Sequence, residues 1–208
     1  MLIVICGIDG SGKTTVLDYL HRELSIPGLH FPVYDSPTGK FIKQHLRGDS
    51  RLDALSFQAL MLVNRLEVLP QLRAAAGSTT THLALSRYWQ SGYVYGQMDG
   101  LDPEYLRKIH ACLPHADVSV LLSLDGAAAS ERVIVRDGLA IERYEKLPKL
   151  HQAAELYEGL WRDVGAHTTG LYKWVNAQAP ESEVCATVGR IARECLARLM
   201  ANTAHTGW

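Results

Sequence analysis

The sequence predicts an α/β fold, a parallel sheet flanked by helices on both faces, and three observations carry that expectation. Short apolar runs suited to buried strands recur along the chain. Segments with helical spacing separate them, the alternation that builds parallel sheets. The first run, Leu2 to Cys6, opens directly into Gly7-Ile8-Asp9-Gly10-Ser11-Gly12-Lys13-Thr14, and a helical pattern follows at Val16, Leu17, Leu20 and Leu24. This is a complete G-x-x-x-x-G-K-[ST] pattern in the strand, loop and helix context that its chemistry requires.

The remaining elements follow in order. Leu29 to Pro32 predicts a short second strand stopped by its proline, and a helix over Thr38 to Arg47 begins near Pro37. Asp53 is placed to N-cap one long helix running to about Ala76, with Leu60, Val63, Leu66 and Leu69 at helical spacing, before Gly77-Ser78 breaks it. His82 to Leu85 and Val118 to Leu124 predict the third and fourth strands, with a helix over Pro103 to Cys112 between them. Helices over Ala127 to Arg136 and Lys149 to Val164, a strand over Tyr172 to Val175 and a helix over Ser182 to Met200 complete one domain, 1–200. The stretch 201–208 reads as a flexible tail. In such a sheet, ligands gather beyond the strand C-termini, so the loops after Cys6, His30, Leu85 and Leu124 should meet at one site.

The glycine-rich loop defines what that site holds. Its glycines let successive backbone N–H groups and a helix N-terminus converge on phosphate oxygens. Lys13 supplies a mobile positive charge for the β- and γ-phosphates, and the Thr14 hydroxyl is a ligand for Mg²⁺. The loop from Gly7 to Thr15, with Asp9, Gly10, Ser11 and Gly12, is therefore expected to bind a nucleoside triphosphate.

Composition narrows the rest. The chain has 208 residues, 47% of them hydrophobic, enough for one substantial core. A formal charge of −1 with mixed signs argues against a nucleic-acid or anionic-membrane partner. Cys6, Cys112, Cys185 and Cys195 lack metal-site spacing and read as reduced thiols of a cytoplasmic protein. The nine histidines are equally scattered and predict no metal centre. No apolar run is long enough to span a membrane, and Met1 leads straight into the first strand without a secretory signal.

Several short segments, in order behind the phosphate loop, resemble thymidylate kinase, a P-loop nucleoside monophosphate kinase family. They are Asp9 within the loop, Phe31-Pro32, Asn64-Arg65, Ser86-Arg87-Tyr88-Trp89-Gln90-Ser91-Gly92-Tyr93-Val94-Tyr95 and Glu142-Arg143-Tyr144-Glu145. The resemblance spans about residues 2–178. It implies ATP-dependent phosphorylation of a deoxypyrimidine monophosphate, dTMP to dTDP first among them, with Mg²⁺, small-molecule nucleotides as partners and a homodimeric assembly. The implied roles are specific. Arg87 matches the arginine that clamps the acceptor phosphate, and Tyr34 a position that hydrogen-bonds it. Arg65 matches the donor to the thymine O4 carbonyl, and Ser91 a polar position beside the base. Tyr95 matches a ring packed near the sugar 2′ carbon, Asp9 the acid near the 3′-hydroxyl, and Phe31 and Pro32 a wall. A short lid, about 136–145, is implied, with Tyr144 and Glu145 bordering the acceptor sugar. Gly10 follows Asp9 without a charge, so the transition-state arginine is expected from the lid, as Arg136 or Arg143.

Three positions depart from the pattern. Ser86 stands where an aspartate usually helps organise Mg²⁺, Met61 near where a phenylalanine stacks on thymine, and Val33 where an arginine often occurs. These departures leave open a modified deoxypyrimidine as acceptor, a base within DNA, or a nucleotide-binding homologue with weakened catalysis.

Overall fold

The computed structural model describes residues 1–50, 52–137, 144–164 and 171–205. Its centre is β1 (Leu2–Cys6), five apolar residues with no solvent exposure at all. A strand buried on both faces must lie in the middle of a covered sheet. It pairs in parallel with β3 (Leu83–Ser86) on one side and β4 (Val118–Ser123) on the other. β2 (Gly28–His30) and β5 (Leu171–Asn176) form the edges, so the parallel order is β2-β3-β1-β4-β5. On one face α1 (Lys13–Leu24) packs on α9 (Glu181–His205). On the other, α8 (Leu147–Val164) packs on α5 (Trp89–Met98) and α7 (Gly126–Asp137). The expected layered sheet is present, with each predicted strand within about two residues of its expected place.

Departures from the expected elements have local causes. The helix expected from Asp53 to Ala76 is two pieces, α3 (Ala54–Leu66) and α4 (Leu69–Ala75). Pro70 sits in the first turn of α4, where its missing N–H is harmless, whereas a continuous helix would need that donor. Asp53 does cap α3, its carboxylate accepting from Ser56 N at 2.9 Å. α5 was not foreseen at all. Its residues Trp89-Gln-Ser-Gly-Tyr-Val-Tyr-Gly-Gln-Met are nearly all buried, so no amphipathic period marks it. α6 (Pro103–His110) lies where expected, capped by Asp102. α9 continues as helix to His205, beyond the expected stop at Met200.

The most telling difference is the face that α3 turns inward. Its spacing of Leu60, Val63 and Leu66 suggested an apolar stripe against the core. Instead its buried residues are Phe57, Gln58, Asn64 and Arg65, while Leu55 and Val63 are about half exposed. Of its apolar residues, Leu62 and Leu66 reach the hydrophobic core, each only partly buried, while the fully buried face is largely polar. α3 and α2 (Pro37–Arg47) lie side by side, and α3 leans on α5.

Candidate active site

The phosphate loop bends where its glycines allow. Gly10 and Gly12 have φ of 81° and 90°, in the left-handed region that side chains avoid. Gly10 is doubly constrained, because a Cβ there would lie 2.7 Å from the Ala129 carbonyl oxygen. Lys13 Nζ donates to the Ile8 carbonyl at 2.7 Å and lies 4.0 Å from Asp9 Oδ1, folded over the loop it is expected to serve.

A cavity of about 410 Å³ opens beyond β1, β2 and β3. Asp9, Gly10, Gly12, Lys13, Thr14 and Thr15 enter from the loop after β1, and Phe31, Pro32 and Tyr34 from the loop after β2. Ser86 and Arg87 come from the end of β3, Ser91 and Tyr95 from α5, and Met61 and Arg65 from α3. Tyr144 and Glu145 close the ring. A second cavity of about 330 Å³ shares Gly10, Gly12, Thr15 and Arg132 with the first and extends past Ser11 to Ala177, Ala179 and Cys185. The two spaces meet at the phosphate loop. Gly7 lines neither; a Cβ on it would collide with Ser11 Oγ and Leu122 O, so it serves the loop's tight packing.

One of the expected placements needs correction. The loop after Leu124 does not enter the main cavity; β4 contributes only through α7, whose Arg132 donates to Gly10 O at 3.3 Å and Ala177 O at 3.0 Å. Ser91 lines the cavity, but its hydroxyl is already paired with Tyr157 Oη at 2.7 Å. Of the two lid arginines, Arg143 falls outside the described residues, and only the backbone of Arg136, in the last turn of α7, falls within them.

Arg87 is held by several contacts. Its guanidinium pairs with the Asp9 carboxylate, donates to Tyr95 Oη at 3.1 Å and sits 5.3 Å from the Tyr95 ring centroid. Burial is the largest single influence and works to lower its pKa, but the Asp9 carboxylate together with Tyr95 and Tyr157 outweighs it and raises the pKa well above the usual arginine value. Its backbone is strained, with φ 68°, an uncommon conformation for a residue with a Cβ.

Arg65 is odder. It is 1% exposed, its pKa pushed down to about 10 by burial, and no ion pair is recorded for it among the described residues. Nη1 donates to Met61 O and Nη2 to Tyr88 O, each at 2.9 Å, while Nε has no acceptor. A buried guanidinium without a carboxylate is costly unless its donors are used, which marks it as a recognition group rather than a surface charge.

The side chain of Asn64, beside it, fastens the loop after β2. Its carboxamide accepts from Val33 N at 2.8 Å and donates to Val33 O, Ser36 Oγ and Thr38 Oγ1, fixing Pro32 and Tyr34 against α3. Tyr144 packs on Tyr95 with ring centroids 4.8 Å apart and planes tilted by 48°, and it donates to the Asp99 carboxylate, which ties the end of the lid segment to α5.

Sequence reasoning missed Phe57, Gln58, Gly92 and His30, which also line the main cavity. Phe57 and Gln58 carried a usable signal, lying on the same face of α3 as Met61 and Arg65 and one turn earlier. The cavity collects Lys13, Arg65, Arg87 and Arg132 against Asp9 and Glu145, a local positive excess hidden by a whole-chain charge of −1. Such a site favours polyanions. Thr14 and Ser86 offer neutral hydroxyl oxygens at its phosphate end, and among the described residues no group of acidic, histidine or cysteine side chains forms a metal cage. No helix among those residues is long and apolar enough to cross a membrane.

Comparison with known proteins agrees with this arrangement. A probable thymidylate kinase from Pyrobaculum calidifontis is 30% identical over 204 residues, covering 96% of this chain and 99% of that one. Another from Pyrobaculum aerophilum is 29% identical over 197 residues, covering 92% and 95%. The solved structure of thymidylate kinase from Candida albicans superposes with a TM-score of 0.74 at 22% identity, over 94% of this chain and 92% of that chain. The family profile described as thymidylate kinase matches residues 5–184, from the end of β1 through β2, β3, β4 and β5 and including the whole phosphate loop, and the chain therefore belongs to the thymidylate kinase family.

Proposed function

We propose that the protein transfers the γ-phosphoryl group of ATP to dTMP, giving dTDP. The observation that carries this reading is the meeting of two cavities at one phosphate loop, so that two phosphate-bearing ligands would face one another across Lys13 and Arg87. Phosphoryl transfer asks the protein mainly for positioning and for charge at the developing transition state. The smaller cavity takes the donor nucleoside, with Arg132 beside the loop and Cys185 and Ala179 along its wall. The larger takes the acceptor.

Within it, Lys13 holds donor phosphates and Arg87 the acceptor phosphate. The Asp9 carboxylate restrains Arg87 until a phosphate competes for the same fork of donors. Tyr34 completes the phosphate end. Arg65 donates to the base O4, with Met61 and Phe31 against the ring and Pro32 as a wall. Tyr95 and Tyr144 pack where a sugar would sit, with Asp9 and Glu145 near its hydroxyl. A lid arginine, Arg136 or Arg143, supplies the remaining transition-state charge, and lid closure excludes the water that would otherwise hydrolyse ATP.

Thr14, with Ser86 nearby, would hold Mg²⁺ together with nucleotide phosphates, since two neutral hydroxyls alone make a poor site for a hard dication. When bound, the ion neutralises charge on the β- and γ-phosphates. The rest of the proposal is one domain over 1–200, cytoplasmic placement and a homodimer. Four unpaired cysteines fit a reducing compartment. Leu55 and Val63 on α3 and Phe41 on α2 are exposed apolar surface that a second copy would cover.

The test is an assay of purified protein with Mg-ATP against a panel of deoxynucleoside monophosphates. Diphosphate formed fastest from dTMP is expected. ATP binding without product from any monophosphate would overturn the reading.

A further inference from the structure

Two residues that line the larger cavity each carry a buried polar atom without a partner, and the two atoms are of opposite kind. Arg65 Nε is a donor and Gln58 Oε1 an acceptor; neither has a hydrogen bond, and both residues are 1% exposed. They lie seven residues apart on α3, which places them on one face two turns from each other. Among the described residues one other side chain carries such an orphan, Gln90, but it lies outside the cavity and its amide nitrogen is bonded to Ser119. Buried polar groups are nearly always paired, so an orphaned donor and an orphaned acceptor in one cavity wall point to a ligand that supplies both partners.

The surroundings keep the Gln58 oxygen available. Opposite it on α5 stands Gly92, where a Cβ would lie 3.3 Å from Gln58 Oε1 and 2.7 Å from the His110 ring. The bare glycine therefore leaves no side chain between α5 and the amide. His110 does not claim the oxygen either. Its Nδ1 donates to Leu106 O at 2.7 Å, and burial, with Arg65 nearby, keeps the ring neutral. Its Nε2 is thus a lone pair facing Arg65 Nη1 at 3.4 Å.

We propose that Gln58 is a specificity-determining residue, its side-chain oxygen accepting the N3–H of the acceptor base while Arg65 donates to O4. This rests on reading the cavity as a dTMP site and adds a residue to it. The chemistry sets the polarity. Arg65 has only donors, so it demands a carbonyl on the base. In thymine the atom next to that carbonyl is an N–H, which needs an acceptor. Cytosine reverses both positions, setting an amino group against Arg65 and a bare ring nitrogen against the Gln58 oxygen. A site of this kind rejects the reversed pattern because buried groups would be left unpaired.

The test compares dTMP, N3-methyl-dTMP and dCMP by calorimetric titration on the parent protein and on Gln58→Leu, with circular dichroism to check folding. The parent should bind N3-methyl-dTMP roughly ten- to a hundredfold more weakly than dTMP. In Gln58→Leu that gap should shrink to a few-fold, with dCMP still disfavoured through Arg65. Equal binding of dTMP and its N3-methyl analogue by the parent overturns the proposal without any variant. An undiminished gap in Gln58→Leu assigns the loss to methyl bulk and overturns it as well. If the parent binds no dTMP at all, the reading of the cavity falls and takes Gln58 with it; binding without N3 discrimination removes Gln58 alone.

Discussion

Arg87 should be worth more to function than to stability, and two substitutions separate the contributions. Arg87→Gly and Arg87→Ala both remove the guanidinium, so both lose the Asp9 pair and the 3.1 Å bond to Tyr95. They differ in the backbone. At φ 68° a Cβ costs roughly 1–2 kcal/mol. Glycine escapes that but loses about 0.5–1 kcal/mol of extra chain entropy on folding. The difference leaves Arg87→Gly more stable than Arg87→Ala by about 1 kcal/mol, or about 2–4 °C in Tm for a chain of this length. Urea denaturation at matched slopes gives the comparison directly. Acceptor binding should collapse equally in both, with ATP affinity close to that of the parent. Arg87→Ala equal to or more stable than Arg87→Gly would refute the strain argument. Near-normal dTMP affinity in either variant would refute the assigned role.

Lys13→Ala should leave the fold intact and lower kcat by about 10²–10³, the usual effect of losing one preorganised donor to a developing anion; a loss of only a few-fold would remove Lys13 from the mechanism. His110 carries a pH signature. Burial, with Arg65 beside it, pushes its pKa down to about 3, so the unfolded chain binds its proton more readily than the native protein does. Its contribution is complete above about pH 6.5 and is lost as pH falls from there toward 3, and His110→Gln should show a shallower decline in urea midpoint over that window. Ser86→Asp should lower the Mg²⁺ concentration needed for half-maximal rate at fixed ATP without loss of turnover. An unmoved Mg²⁺ requirement with a raised KM for the monophosphate would show instead that the carboxylate faces the acceptor phosphate.

The sequence alone determined whatever depends on local chemistry. The phosphate loop is legible because its glycines, Lys13 and Thr14 act through the backbone conformation of one contiguous segment. The strands are legible because a run buried on both faces must be apolar throughout, as β1 is. Asp53 announced its helix because a cap bonds a backbone N–H only three residues away. What only the tertiary structure decided involves side chains brought together from distant segments. The periodicity of α3 pointed Leu60 and Val63 inward, yet the buried residues include Gln58 and Arg65, which line a cavity, and Asn64, which holds the loop after β2. α5 escaped notice because a helix enclosed on nearly every side has no polar stripe to reveal its period. The Asp9–Arg87 pair joins residues 78 positions apart, and the lone donor of Arg65 is recognisable only once its neighbours are known. Sequence spacing records what a residue can reach within a turn or two, whereas an active site is set by what the folded sheet places across from it.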